Sequence, residues 1–412
     1  MKTEQTDVLI IGAGPAGSVA AGILDKKGIK TIVVEKEIFP RFVIGESLLP
    51  RCMEAFDEAG FMEDLQSQGF QTKAGALFLK GDERCDFSFD SQFTEGWNWT
   101  FQMPRSKFDT VLTDNLLKRG VDLRFQSTVT GIEFKGTDSK TTIQDKEGNI
   151  VEINAKFIID ASGYGRVIPR LFNLDRPSQL PPKQTMLVHS SDSNRSNYQE
   201  SDRIHAIVQN EKTWIWVIPF SDGSTSVGFV SDPSYFEGLE GSMEDKMRTL
   251  MSKEPYLLER FKDESFKWEP KTLGGWSVTT DKFYGDGFVL TGNVTEFLDP
   301  IFSSGVTLAS VSSAKAANLV AKTLEGETID WEQDYMAKVR EGVAVFKTYV
   351  MAWYDGSLHK VFFSKTIDET IKSQICSVLA GYVWDYKNPY VRKHKERLEH
   401  LVQMIDAAAL EA

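Results

Sequence analysis

Residues 7–35 read DVLIIGAGPAGSVAAGILDKKGIKTIVVE, and this stretch decides the fold. Asp7–Ile11 is a short apolar run suited to a buried parallel strand. Residues 15–27 follow a helical pattern, and residues 31–35 form a second, β-branched strand. Between the first strand and the helix lies Gly12-Ala13-Gly14-Pro15-Ala16-Gly17, a GxGxxG turn. Gly12 permits the tight turn, Gly14 lets backbone approach a pyrophosphate at the helix N-terminus, and Gly17 lets helix and strand pack closely. Glu35 closes the second strand, where a carboxylate accepts hydrogen bonds from ribose hydroxyls and disfavours a 2′-phosphate. Strand, helix and acidic strand end agree on a Rossmann-type dinucleotide site.

Outward from this unit the chain is β-rich and then helical. Residues 121–134 and 141–160 alternate apolar and polar positions, with a turn at 146–149 that implies a hairpin. Residues 214–220 and 225–230 flank Ser221-Asp222-Gly223-Ser224, a second hairpin signal. Residues 315–322 and much of 332–409 have helical character. The reading is an α/β chain: a Rossmann-type FAD-binding domain, an inserted β-sheet-rich substrate domain and a C-terminal helical region. The discontinuous FAD-binding domain is assigned to 1–68, 104–180 and 273–330. The substrate domain takes 69–103 and 181–272, and the helical region 331–412.

With 412 residues, 41% hydrophobic and 26% charged, the composition is that of an ordinary globular protein. A net charge of −12 argues against nucleic acid as a partner, although a local basic groove could still take a phosphate or a carrier domain. Cys52, Cys85 and Cys376 have no metal-like or disulfide-framework spacing, and the five histidines form no HxxxH or HxH pair, so no metal is expected. The start at 1–7 lacks the features of a signal peptide, and no run of about 18 apolar residues occurs. No transmembrane span is expected, and the expected location is cytoplasmic.

FAD is preferred to NAD because two further loops run from strands into glycine-bearing turns. Residues 157–163 read FIIDASG. Residues 285–293 read GDGFVLTGN and are followed by DPIFSSG at 299–305. Each alone is an ordinary strand-to-helix turn; a single short nucleotide would not need all three.

Together the three segments resemble the FAD-dependent monooxygenase superfamily, which includes p-hydroxybenzoate hydroxylase, geranylgeranyl reductases and flavin-dependent halogenases. The resemblance covers nearly the whole chain. It implies that Asp160 and Gly163 lie near the cofactor, and that Asn293, Pro300, Ser303, Gly305 and Val306 border its ribityl and ring region. Asn293 departs from the aspartate usual in the family, which removes a charge but keeps a hydrogen-bonding carbonyl. PRFVIGES at 40–47 resembles the segment that runs beside the flavin, with Lys36, Arg41 and Ser47 as cofactor contacts. MPRSKFD at 103–109 resembles the family's RxxFD helix start and brings in Arg105.

Three features are similar to halogenases in particular. WIWVIP at 214–219 matches a WxWxIP signature, and strand alternation puts Trp214, Trp216 and Ile218 on one face. By resemblance this is an aromatic wall between flavin and substrate. GFQTKAGALF at 69–78 is similar to the segment holding a halogenase's catalytic lysine, here Lys73; a lysine in apolar surroundings can hydrogen-bond hypohalous acid or form a haloamine. The loop at 299–306 resembles a halide site in which the N–H groups of Ser304 and Gly305 hold chloride or bromide. VWDYKNP at 383–389 also resembles the halogenase-like group and is assigned packing alone.

The implied reaction forms a flavin C4a-hydroperoxide that oxidises halide to hypohalous acid for halogenation of an electron-rich aromatic substrate, free or carrier-bound. With no second GxGxxG in the chain, a separate flavin reductase is an expected partner. The alternatives are an aromatic monooxygenase, a geranylgeranyl-reductase-like dehydrogenase and a non-catalytic flavin redox sensor.

Overall fold

A computed structural model describes residues 2–178 and 180–411; the outermost domain bounds, at residues 1 and 412, lie outside them. The glycine-rich unit forms as its pattern requires. Strand Lys2–Ile11 leads into helix Pro15–Lys26, and the chain returns as strand Thr31–Val34 parallel to the first. The first strand begins well before Asp7. Its polar residues are held by parallel pairing with Ile150–Asp160, from Lys2 opposite Val151 to Ile11 opposite Asp160. Backbone pairing on a long neighbouring strand outweighs the missing hydrophobic pattern.

The main sheet runs in the order Tyr284–Gly285, Phe288–Leu290, Ile150–Asp160, Lys2–Ile11, Thr31–Val34, Asp122–Arg124. The stretch expected to alternate over 121–134 is two strands. Gln126 takes a left-handed φ of 53° and separates Asp122–Arg124 from Ser127–Lys135, which pairs instead with Asp138–Asp145. The hairpin at 146–149 joins Asp138–Asp145 to Ile150–Asp160.

A second, seven-stranded sheet draws strands from two separate parts of the chain. Gly75–Lys80 and Glu83–Ser88 come first in sequence and complete one edge; Gly75–Lys80 lies parallel to Ile204–Val208. Trp214–Pro219 and Ser224–Ser231 form the hairpin read from sequence and sit at the sheet's centre.

The helix expected at 315–322 is the end of a longer one, Ser304–Leu324. Its opening turns hold glycine and β-branched residues of low helix propensity. They are helical because the element buries Val306, Leu308 and Ala309 and packs along Pro15–Lys26, where the Ser313 hydroxyl donates to the Ala16 carbonyl at 2.5 Å. The C-terminal stretch breaks into several helices, from a π turn at Trp331–Met336 and Ala337–Tyr354 to His394–Glu411. Trp384 does pack: its ring lies against Gly342 and its indole donates to the Lys338 carbonyl at 2.7 Å. No helix among the described residues is long and apolar enough to cross a membrane.

Candidate functional site

A cleft of about 570 Å³ opens where the glycine turn, the two later loops and the second sheet converge. That size suits an extended small ligand. Its lining includes Gly12, Gly14, Pro15, Ala16, Glu35, Lys36, Arg41, Ser47, Arg105, Gly163, Asn293, Pro300, Ser303, Gly305 and Val306, together with Trp214 and Trp216. Residues far apart in sequence thus border one space.

The turn is built as its glycines demand. Gly12 has φ of 98°, and a β-carbon there would stand 2.6 Å from the Ala161 carbonyl oxygen. A β-carbon on Gly17 would stand 1.8 Å from the Gly12 carbonyl oxygen, so Gly17 serves close packing behind the turn and does not border the cleft. The Glu35 carboxylate accepts from the Ala13 and Glu37 N–H groups, both at 2.9 Å, and keeps lone pairs free for a further donor.

Two polar groups at the cleft have no settled partner. Ser47 Oγ is buried without a hydrogen bond. Arg41 Nη1 lies 3.3 Å from the Asp109 carboxylate but makes no aligned hydrogen bond. A helix N-terminus with unsatisfied N–H groups, an adjacent arginine and an unpaired serine together suit a diphosphate-bearing ligand. Arg105 is spent differently: it pairs bidentately with Asp109 at 2.8 and 3.0 Å and holds the Ile44 carbonyl at 3.0 Å.

Two residues chosen from sequence stand behind the cleft wall. Asp160 is fully buried, and its carboxylate accepts from the N–H groups of Ser162 and Ile168 at 3.0 and 2.7 Å. It shapes the 161–165 turn, which does border the cleft. Ser304 is buried at the first turn of its helix, while its neighbours Ser303 and Gly305 line the space.

Trp214 and Trp216 stand side by side, with ring centroids 5.9 Å apart. The Trp216 ring lies across Gly228, where a β-carbon would come within 2.1 Å of it, and its indole donates to Ser226 Oγ at 3.0 Å. A lone glycine inside the strand at 224–231 is the sequence signal for this close approach. Trp214 donates to the Tyr354 hydroxyl at 3.1 Å, and Tyr354 donates to Asp299 Oδ2 at 2.8 Å. Burial pushes the Asp299 carboxyl up to about 6. Asp299 also caps the loop that follows, accepting from the Ile301 N–H at 3.0 Å. The wall and the 299–306 loop are therefore tied through Tyr354, a side chain that helical spacing alone assigns to the core. Tyr354→Phe is expected to leave a buried indole N–H and Asp299 Oδ2 without their partner and to cost about 1–3 kcal/mol in urea unfolding. An unchanged unfolding midpoint would show the link to be idle.

Lys73 ends strand Gln71–Lys73 and is buried, whereas nearby Lys80 is exposed. Its ammonium donates to the Leu48 carbonyl at 2.8 Å and stands 5.6 Å from the Phe89 ring centroid. Desolvation lowers its pKa from 10.5 to about 7, so the neutral amine is well populated near neutral pH. Lys73 is not part of the cleft lining. It reaches the cleft through the segment it holds, because Glu46 and Ser47, just before Leu48, do border it. Glu46 was not singled out by sequence. Its carboxylate is buried against His189, Oε1 to Nε2 2.7 Å, and only the GES triplet at 45–47 hinted at it.

The family model for the FAD binding domain matches residues 5–327. The chain is 27% identical to the 1H-pyrrole-2-carbonyl-peptidyl-carrier-protein chlorinase of Pseudomonas fluorescens, over 94% of this chain and 91% of that protein. It is 30% identical to the tryptophan 2-halogenase of Chondromyces crocatus, over 79% of this chain and 62% of that protein. Among solved structures, a flavoprotein/dehydrogenase from Cytophaga hutchinsonii superposes with a TM-score of 0.96 at 54% identity, covering 98% of this chain and 100% of that one.

Proposed function

This chain belongs to the FAD-binding family of p-hydroxybenzoate hydroxylase-like oxidoreductases, and from that premise we propose that it is a flavin-dependent halogenase of electron-rich aromatic substrates. The observation that carries the reading is the buried Lys73, its ammonium on the Leu48 carbonyl at 2.8 Å, behind the Glu46–Ser47 border of a cleft lined by Trp214 and Trp216.

The residues fit FAD. Gly12, Gly14, Pro15 and Ala16 would receive the diphosphate with Arg41, Glu35 the ribose, and Ser47, Asn293, Pro300, Ser303, Gly305 and Val306 the ribityl and ring portion. Reduced FAD with dioxygen supplies a two-electron oxidant when bound. Backbone N–H groups of Ser304 and Gly305, at a helix start, would hold the halide. Trp214 and Trp216 exclude water and keep the substrate ring off the flavin. Lys73 accepts the hypohalous acid at its amine and presents it to the substrate.

The substrate is a small aromatic ring, free or borne on a carrier; the Pseudomonas fluorescens relative acts on a carrier-bound pyrrole. A separate flavin reductase would supply the reduced cofactor. The test is direct: reduced FAD, dioxygen and bromide with a phenolic trap should give brominated product by mass spectrometry. Halide-independent hydroxylation would replace this reading with a monooxygenase. The name of the 54%-identical neighbour favours a second reading, hydride transfer; substrate reduction that proceeds without dioxygen would establish it.

A further inference from the structure

We infer that Glu46 and His189 form a proton relay from solvent to the cofactor cleft, serving the halogenation proposed above and resting on that reading. Stoichiometry sets the need. One aromatic C–H, one halide, one dioxygen, one reduced flavin (FADH2) and one proton give one carbon–halogen bond, oxidised flavin and two waters. Dioxygen takes up four electrons, two from the flavin and two from forming the carbon–halogen bond. Each turnover therefore draws a proton from outside. Hydroxylation of the same ring, which yields one water and a phenol, draws none.

The geometry supplies a route. Glu46 lines the cleft, and its Oε1 meets His189 Nε2 at 2.7 Å. Oε2 makes no hydrogen bond among the described residues and is not sealed from solvent. Gly45, the preceding residue, faces the halide loop: a β-carbon there would lie 4.0 Å from Val306. His189 stands on the second sheet between the rings of Phe220 and Trp268, with centroids at 5.1 and 5.0 Å, which fixes its plane. Its side chain is about one-eighth exposed, and Nδ1 has no protein partner and is not buried, so water reaches it. A proton taken at Nδ1 can leave from Nε2 to Glu46 Oε1, and rotation or release at the carboxyl delivers it to the cleft.

The other charged groups around the pair are Lys271, 5.4 Å from the Trp268 ring centroid, Arg105, and Asp109 with its second partner Arg41. None of them hydrogen-bonds Glu46 or His189 among the described residues.

The test joins a cofactor-free readout to a catalytic one. Nitrogen-15 chemical shifts of His189 should differ between the parent and Glu46→Gln, because Nε2 meets the Glu46 carboxylate at 2.7 Å. Glu46→Gln and His189→Ala should retain FAD affinity but lose halogenation about 100-fold, most severely at high pH. Added imidazoles should restore His189→Ala in order of their acidity, a pattern a purely structural tie between the sheets would not give. Identical His189 nitrogen-15 spectra, or parental halogenation and pH profile in both variants, overturn the relay. A parent that only hydroxylates overturns the halogenase reading instead and removes the proton demand with it.

Discussion

Lys73→Met is expected to cut halogenated product by at least 100-fold, a typical scale for loss of an activated nucleophile, while FAD affinity stays within about threefold of the parent. The two effects separate because Lys73 lies outside the cleft lining. Stability should move in the opposite direction to activity. Folding lowers the amine's pKa from 10.5 to about 7 through burial. The unfolded chain therefore binds more protons across that window, and stability rises with pH from about 7 to 10.5. Below pH 7 the full penalty, roughly 5 kcal/mol by linkage, burdens the parent. The methionine variant lacks this slope, although it leaves the Leu48 carbonyl without its donor at about 1–3 kcal/mol. Thermal unfolding should find the variant at least as stable as the parent at pH 7 and less stable at pH 10. Parental halogenation by Lys73→Met would remove this lysine from the chemistry.

Gly17→Val should abolish flavin binding. A β-carbon would sit 1.8 Å from the Gly12 carbonyl oxygen, backbone that cannot yield without opening the turn. The expected loss of FAD affinity exceeds 100-fold, read by quenching of FAD fluorescence with circular dichroism as a check on folding. Gly28→Ala is the control. It also has positive φ, at 71°, but nothing lies within 4 Å of its β-carbon, so it should cost about 1 kcal/mol of stability and leave the cofactor untouched. Parental affinity in Gly17→Val would mean that the dinucleotide does not rest on this turn.

The glycine-turn side of the cleft was legible because its geometry is local. A glycine turn, the helix it opens and an acidic strand end lie within one short stretch, and each residue's job follows from backbone geometry. Lys73 was legible as a lysine among apolar neighbours, and the hairpin carrying Trp214 and Trp216 by its period of two. What escaped depended on tertiary partners. Nothing near Glu46 announces His189, which arrives from strand Gln184–Ser191 of the second sheet. Tyr354 reads as one more aromatic on a helix until Asp299 and Trp214 flank it. Asp160 departs from expectation for the same reason: the resemblance puts it near the cofactor, but two backbone N–H groups claim its carboxylate behind the cleft wall.

The parallel pairing of Gly75–Lys80 with Ile204–Val208 bears on how the molecule is made. During vectorial synthesis the earlier strand emerges long before its mate and, until the mate arrives, offers an apolar edge on one side of its hairpin. Its closure is a late, high-contact-order event. Until Ile204–Val208 is made, this edge is therefore one of the nascent chain's points of exposure to aggregation.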